Sequence, residues 1–407
     1  VSLTIAILGT LDTKGFEHAF VASCIREAGC QVLMIDVGTG SEPQISPDVT
    51  RFEVAASAGI DLQPILDRRD RGQAVATMVK AAPCILEQLR RTGKIDGVIS
   101  LGGGGGTAIA SAAMRGLPIG FPKMIVSTLA SGNIAHYIGT SDIVIMSSIV
   151  DIQGLNRISK KIFSRAAGAI VGMVRVKLPT EDGKPVIVVS MFGNTTACVN
   201  SATPILEAAG YEVLVFAATG TGGKTMEALI DSGMVAGVLD ITTTELADEL
   251  VGGVLSAGPD RLYAAARARV PAIVVPGCLD MVNFGEPSTV PPGFEDRRFY
   301  FHNPQVTLMR TNAGECKQLG ERLAKAVNSY PAPCCVLIPK RAISVISAPG
   351  GPFHDPQADT ALFDAIAHTL NPKVDLEIHD CEINDLRFGQ HCAQRLIALI
   401  AAQRSAN

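Results

Sequence analysis

Five consecutive glycines, Gly102 to Gly106, follow the apolar run Val98–Leu101 and lead into the small-residue stretch T-A-I-A-S-A-A-M that starts at Thr107. The order reads as buried strand, bare backbone, then helix, with Thr107 or the last glycine at the helix N-cap. Such a run costs much backbone entropy on folding, because glycine has more conformations to lose than any other residue. A chain keeps it where the backbone turns sharply and lets another group come close. At the C-terminal end of a parallel strand, ahead of a helix, that group is usually an anion, met by free N–H groups and the positive end of the helix dipole. A phosphate-binding turn is the leading expectation and a purely structural turn the alternative. A dinucleotide site fits only loosely, as Gly103-x-Gly105-x-x-Ala108. The next strand, Lys123 to Val126, ends in Ser127 and Thr128 rather than in the acid such a site needs.

Composition agrees with an α/β reading. Of 407 residues, 47% are hydrophobic and 18% charged, the balance of buried parallel strands under small-residue helices. The length calls for more than one core. A net charge of −4, 5% aromatics and the lack of a basic cluster argue against a nucleic-acid partner. No apolar run reaches about 18 residues and no signal-peptide pattern opens the sequence, so a soluble, cytoplasmic protein without membrane contact is expected. The ten cysteines are scattered without a C-x-x-C and read as reduced, buried thiols. No H-x-x-x-H or similar spacing occurs, so no intrinsic metal site is expected.

Strand and helix signals alternate along the chain. Thr4–Leu8 runs into Gly9-Thr10-Leu11-Asp12-Thr13-Lys14, a helix continues to Ala28, and Val32–Ile35 ends on Asp36. At Leu178-Pro-Thr-Glu-Asp-Gly-Lys-Pro185 the composition turns polar, which places a boundary between an N-terminal domain, 1–180, and a C-terminal domain, 181–407. The second half repeats the first. Arg26–Ile35 lines up with Glu207–Phe216, Lys94–Leu101 with Met234–Ile241, and Pro122–Thr128 with Pro271–Gly277. Matched segments in one order predict two Rossmann-like, doubly wound parallel-sheet domains built from a duplicated unit. Strands at Cys335–Ile338 and Val374–Ile378 and a helix over Leu386–Gln403 are expected to complete the second.

The polar candidates sit in strand-end loops. Thr10, Asp12 and Lys14 share one turn. Lys14 would neutralise a phosphate, and Asp12 would hold a ribose hydroxyl or a Mg²⁺-bound water; a helix N-cap with a solvated lysine is the plain alternative. Asp36 stands where a ribose-binding acid sits, and is equally well a loop aspartate. Ala218-Thr-Gly-Thr-Gly-Gly-Lys-Thr225 misses the Walker A pattern by its first glycine, leaving a second anion nest open as an alternative. In the second half, Asn194, Thr195, Thr242, Thr243, Thr244, Asp280 and Asn283 are candidates to hold a small metabolite in a cleft between the domains. Cys278 would need a base such as His302 to act as a nucleophile, and His354 beside Asp355 could form a general base. Loops that satisfy their own backbone remain the alternative at both places, and the hydroxyl-rich loop Ser127–Asn133 either wraps a ligand or simply turns.

Gly9-Thr-Leu-Asp-Thr-Lys14, Gly102 to Thr107, Gly139-Thr-Ser-Asp-Ile143, Val150-Asp-Ile-Gln-Gly-Leu-Asn-Arg-Ile158 and Pro276-Gly-Cys-Leu-Asp280 together resemble the UPF0261 (Tm-1-like) family over nearly the whole chain. The resemblance implies two Rossmann-like subdomains, ATP binding and a homodimer. It carries ATP contact onto Thr10, Asp12, Lys14, Gly103, Gly104, Gly105, Gly106 and Thr107. The leading expectation is an ATP-dependent enzyme acting on a small metabolite in the cleft between the domains; the alternatives are a non-catalytic module whose ATP stabilises a dimer or partner surface, and a lyase or hydrolase on a sugar acid or sugar phosphate with His354 or His302 as base. No catalytic residue is assigned.

Overall fold

Short runs of Val, Ile, Leu and Met, each bounded by glycine or a polar turn, form the strands. A computed structural model describes residues 3–177 and 183–406, so most of the polar stretch around the expected boundary, 178–182, lies outside the described residues. The chain divides into two units, 1–180 and 181–407.

In the first unit β1 (Thr4–Gly9), β2 (Gln31–Asp36), β3 (Gly97–Gly102), β4 (Lys123–Ser127) and β5 (Val144–Ser147) make a parallel five-stranded sheet in the order β2-β1-β3-β4-β5. Alternate residues serve alternate faces. Ala6, Leu8, Val98 and Ile125 pack against the helices Arg51–Ser57, Arg71–Arg91 and Gly104–Arg115. Ile5, Ile7, Ile99, Leu101, Met124 and Val126 pack against Leu11–Glu27 and Arg157–Arg175. Because both faces are covered, β3 is buried along its whole length, as its unbroken apolar run requires. The strand order reverses between β1 and β3, which makes their C-terminal ends the switch point of the sheet.

The second unit repeats the plan. It contains β6 (Val186–Met191), β7 (Glu212–Ala217), β8 (Val235–Thr242), β9 (Ala272–Gly277), β10 (Met281–Phe284), β11 (Phe299–Asn303), β12 (Val306–Arg310), β13 (Cys334–Pro339) and β14 (Asp375–His379). Its main sheet has six strands in the order β14-β13-β9-β8-β6-β7. In the first sheet Leu8 pairs with Ile35 and Ser100, and Ser100 pairs with Ile125. In the second, Ser190 pairs with Phe216 and Asp240, and Asp240 with Val274. Ile35 and Phe216, Ser100 and Asp240, and Ile125 and Val274 are residues that the sequence alignment already equates. The repeat is thus one of topology and register together.

Two elements differ from the sequence reading. The helix after the glycines begins at Gly104 with Gly103 as its N-cap, not at Gly106 or Thr107. Packing of Ile109, Ala110, Ala113 and Met114 outweighs the low helix propensity of glycine. The stretch 276–285, read as a loop, contains β10, which joins β12 and β11 in a small antiparallel sheet. Its four residues are too few to show a period, and its partner lies far along the chain.

Candidate functional site

At the switch point of the first unit the loops after β1, β2 and β3 surround a cavity of about 820 Å³, well within the range of small-molecule sites. The first loop gives Thr10, Asp12, Thr13 and Lys14, the second Thr39, Gly40 and Ser41, and the third Gly103, Gly104, Gly105 and Gly106. Arg69 and Arg71, at the start of the helix Arg71–Arg91, form another wall, with an apolar side of Leu66, Val75 and Ile109.

The glycines do not share one role. A Cβ on Gly102 would stand 2.5 Å from the Thr107 nitrogen and 2.7 Å from the Gly106 carbonyl carbon, so the close approach of strand end and helix requires glycine there. At Gly104 nothing lies within 4 Å of such an atom, and at Gly105 the nearest is Val75 Cγ2 at 3.6 Å. Neither has a positive φ. The fold would accept alanine at both, and alanine favours a helix by about 1 kcal/mol over glycine. The N–H groups of Gly104, Gly105 and Gly106 are first-turn donors, and no described residue accepts from them. Thr107 sits behind the turn, buried, its hydroxyl donating to Gly102 O at 3.2 Å and bonded to Ser127 Oγ at 2.8 Å. Thr128 N–H also donates to Gly102 O. Here the hydroxyl-rich loop braces the glycine turn.

Three cations and one carboxylate line the cavity: Lys14, Arg69 and Arg71 against Asp12. Lys14 Nζ donates to Ile152 O. Arg69 holds a left-handed φ of 53°, and Arg71 is the first residue of its helix, where a cation opposes the dipole. Asp12 Oδ2 accepts Gly40 N–H at 2.8 Å, while its buried Oδ1 has no partner. Asp36 does not line the cavity; its Oδ1 accepts Leu11 N–H at 3.1 Å and Gly38 N–H at 2.8 Å, and burial pushes its carboxyl up. The buried Arg51 holds the loop after β2 through Ser41 O at 2.6 Å and Glu42 at 3.1 Å. Beneath the turns lies His18, fully buried. Burial lowers it from 6.5 to about 4, so the neutral ring donates from Nδ1 to Lys14 O at 2.6 Å and accepts Leu101 N–H at Nε2. It pins the β1 turn to the end of β3.

The same corner of the second unit is closed. Glu245 opens the helix after β8 as Gly104 opens the helix after β3. Its Oε1 accepts N–H from Gly220 at 2.7 Å and Gly223 at 3.1 Å, and its Oε2 takes Arg261 Nε at 2.7 Å. Arg261, buried, also holds Asp240 through both Nη atoms at 2.5 and 2.8 Å, and Glu227 at 3.2 Å. The Walker-like turn at 218–225 is therefore an anion nest whose anion is the protein's own carboxylate.

The other second-half candidates join a buried network. Thr195 bonds Thr242 at 2.8 Å, Thr243 donates to Val275 O at 3.2 Å, and Thr244 to Met281 O at 3.4 Å. Asn283 donates to Asp248 at 2.7 Å, and Asp280 accepts from Ser344 at 2.7 Å. Burial raises Asp280 to about 6 and Asp248 to about 7. Asn194 accepts Asn384 Nδ2 at its carbonyl. Cys278 is buried and its thiol pushed well up, so no thiolate is ready to attack. His302 is exposed on β11, and His354 Nδ1 lies 3.3 Å from Ser347 O. Sequence reasoning missed Arg69, Arg71, Glu245 and Arg261; the run Arg68-Arg69-Asp70-Arg71 ahead of a long helix was the available signal for the first two. Among the described residues no helix is long and apolar enough to cross a membrane.

The profile described as "Uncharacterised protein family (UPF0261) N-terminal domain" matches residues 3–179, and its C-terminal counterpart matches 184–400. A UPF0261 protein of Clostridium tetani is 46% identical over 398 residues, covering 97% of this chain and 98% of its own. The ToMV resistance protein Tm-1(GCR237) of Solanum lycopersicum is 44% identical over 404 residues, covering 94% of this chain and 54% of that protein. Among solved structures, UDP-N-acetylglucosamine 2-epimerase from Rickettsia bellii is similar at 12% identity and a TM-score of 0.24, over 67% of this chain and 79% of that one; so low a score carries no argument. Two profiles that leave only short stretches uncovered, and relatives of such identity over nearly the full length, place the chain plainly: it belongs to the UPF0261 family.

Proposed function

We propose that the N-terminal unit binds a nucleotide, ATP in the first place, with its phosphates on the glycine turn. One observation carries the reading: Gly104, Gly105 and Gly106 offer three unpartnered N–H groups at a helix start, and at Gly104 and Gly105 the surrounding structure leaves room for side chains that the chain does not have. An anion that must come close accounts for both facts. Lys14, Arg69 and Arg71 supply compensating charge, and Leu66, Val75 and Ile109 an apolar wall for a base. Asp12 accepts from Gly40 at Oδ2 and keeps a buried, unpartnered Oδ1, the atom that would hold a Mg²⁺-bound water or a ribose hydroxyl.

The reading is of binding, and it assigns no catalytic residue. A homodimer, implied by the family resemblance, belongs to the same reading. Thermal unfolding with ATP, ADP, NAD and sugar phosphates tests it, with the adenine nucleotides expected to raise the midpoint most. Sedimentation with and without ATP reads the dimer, and ADP release with metabolite mixtures separates enzyme from module. No shift with any phosphate compound would end the proposal.

A further inference from the structure

We propose that Glu377, His379 and His391 in the second unit form a binding site for a divalent transition-metal ion of the zinc type. Glu377 and His379 are two apart on β14, so both leave the same face of the strand. The helix Leu386–Ala406 brings His391 against them, with Nε2 at 2.6 Å from Glu377 Oε2 and the two imidazole centroids 4.8 Å apart. One donor atom from each residue lies within 4.8 Å of the other two. The telling atom is His379 Nε2: it is buried, has no hydrogen-bond partner, and stands 3.5 Å from Glu377 Oε2. A native structure rarely leaves such an atom bare without an ion or water to satisfy it.

The surroundings suit a metal. Glu377 Oε1 is held by Arg395 Nε at 2.7 Å, which leaves Oε2 to point at the imidazoles. Arg395 is itself paired with Asp375. Such outer contacts orient a ligating carboxylate. Two imidazoles and a carboxylate are a zinc donor set with a fourth position open to water, whereas calcium and magnesium prefer oxygen alone. A tetrahedral shell with bonds of about 2.0–2.2 Å keeps its ligand atoms about 3.3 Å apart, so the 3.5 Å pair is in place and the 2.6 Å pair must open by about 0.7 Å. His391, partly exposed on its helix, can make that move. His379 and His391 border a cavity of about 470 Å³ that also presents Asp380, Cys381 and Asp385. The sequence shows no H-x-x-x-H because the ligands come as Glu-x-His on a strand and one histidine on the next helix.

Titration calorimetry of the full chain with zinc chloride, and the visible spectrum with cobalt chloride, test the site. The expected result is one ion per chain and a four- or five-coordinate cobalt spectrum without thiolate charge transfer, unchanged in Cys381→Ser. Arg395→Met should weaken zinc about 10–100-fold, the range for outer-shell partners, and His391→Gln by more, with circular dichroism showing that each variant folds. Failure of the unaltered chain to take up either ion at one equivalent would overturn the proposal. Uptake that survives in both His391→Gln and His379→Gln, or a thiolate spectrum, would do so equally. Should a histidine variant fail to fold, the cobalt spectrum of the unaltered chain decides.

Discussion

Gly104→Ala separates a glycine kept for the fold from one kept for a ligand. The new methyl meets nothing within 4 Å, and φ at this position is not positive. Replacing glycine by alanine in a compatible conformation stabilises by about 0.4–1 kcal/mol. For a unit of this size each kcal/mol moves the midpoint about 2–4 °C, so the ligand-free variant should melt about 1–4 °C higher. Its response to ATP should move the other way. ATP at 100 times its dissociation constant stabilises by about 2.7 kcal/mol, a rise of about 5–11 °C. A methyl that displaces even one hydrogen bond to a charged phosphate loses about 1.5–3 kcal/mol, or about 10–150-fold in affinity. At a hundredfold loss the same ATP concentration gives about 0.4 kcal/mol, an increment of about 1–2 °C. Differential scanning calorimetry with and without ATP reads both numbers. A lower ligand-free midpoint would show that the fold itself needs this glycine, and an undiminished ATP increment would show that no phosphate approaches it.

Arg71→Ala should weaken ATP about 10–150-fold while leaving adenosine binding unchanged in titration calorimetry; equal losses for both would remove Arg71 from phosphate contact. His18, held at about 4 against 6.5 when unfolded, gives the first unit an acid sensitivity. Between those values the unfolded chain binds a proton that the folded one refuses, so stability is complete above 6.5 and falls by about 3 kcal/mol toward pH 4. Asp248 and Asp280, raised to about 7 and about 6, act in the opposite direction: the folded second unit binds protons the unfolded chain has released, so their contribution falls as pH rises from 4 to 7. Hydrogen exchange resolved by unit reads the two slopes, and parallel slopes would contradict the assignment. Glu245→Ala leaves the Gly220 and Gly223 N–H groups without their acceptor while Arg261 keeps Asp240 and Glu227, and should cost the second unit about 1–3 kcal/mol for each buried donor left unmet, read as a lower urea midpoint. Glu245→Gly, which copies Gly104, should make that unit's midpoint rise with inorganic phosphate, and an unchanged midpoint would refute the anion nest.

The sheet was legible because parallel strands buried on both faces must be unbroken apolar runs, and because the repeat equates Ser100 with Asp240 before any pairing is seen. The glycine turn was legible for a similar reason, since a side-chain-free run at a strand end is costly enough to need a cause. What escaped depends on contacts between residues far apart in the chain. Nothing local to Arg69 announces a left-handed backbone, and nothing in Glu377-x-His379 announces His391 across the strand–helix packing. Asp36 carried a ribose reading on position alone, whereas its Oδ1 accepts two loop N–H groups and it lies outside the cavity wall. A short polar side chain beside a tight turn has its own backbone to satisfy first.

The duplication supplies the control that one site cannot. Both units bring a helix N-terminus and neighbouring loop amides to the same corner of the same topology. In the second unit those loop amides are met by a carboxylate carried on the chain, with Arg261 buried to balance the charge gathered there. In the first, the position that would carry the carboxylate is glycine, and the compensating cations, Lys14, Arg69 and Arg71, lie around a cavity instead of inside a core. The proposed nucleotide accounts for the unmet donors, the cations and the space together. A merely structural glycine turn would account for Gly102, where a side chain collides, and leave Gly104 and the two arginines without a reason.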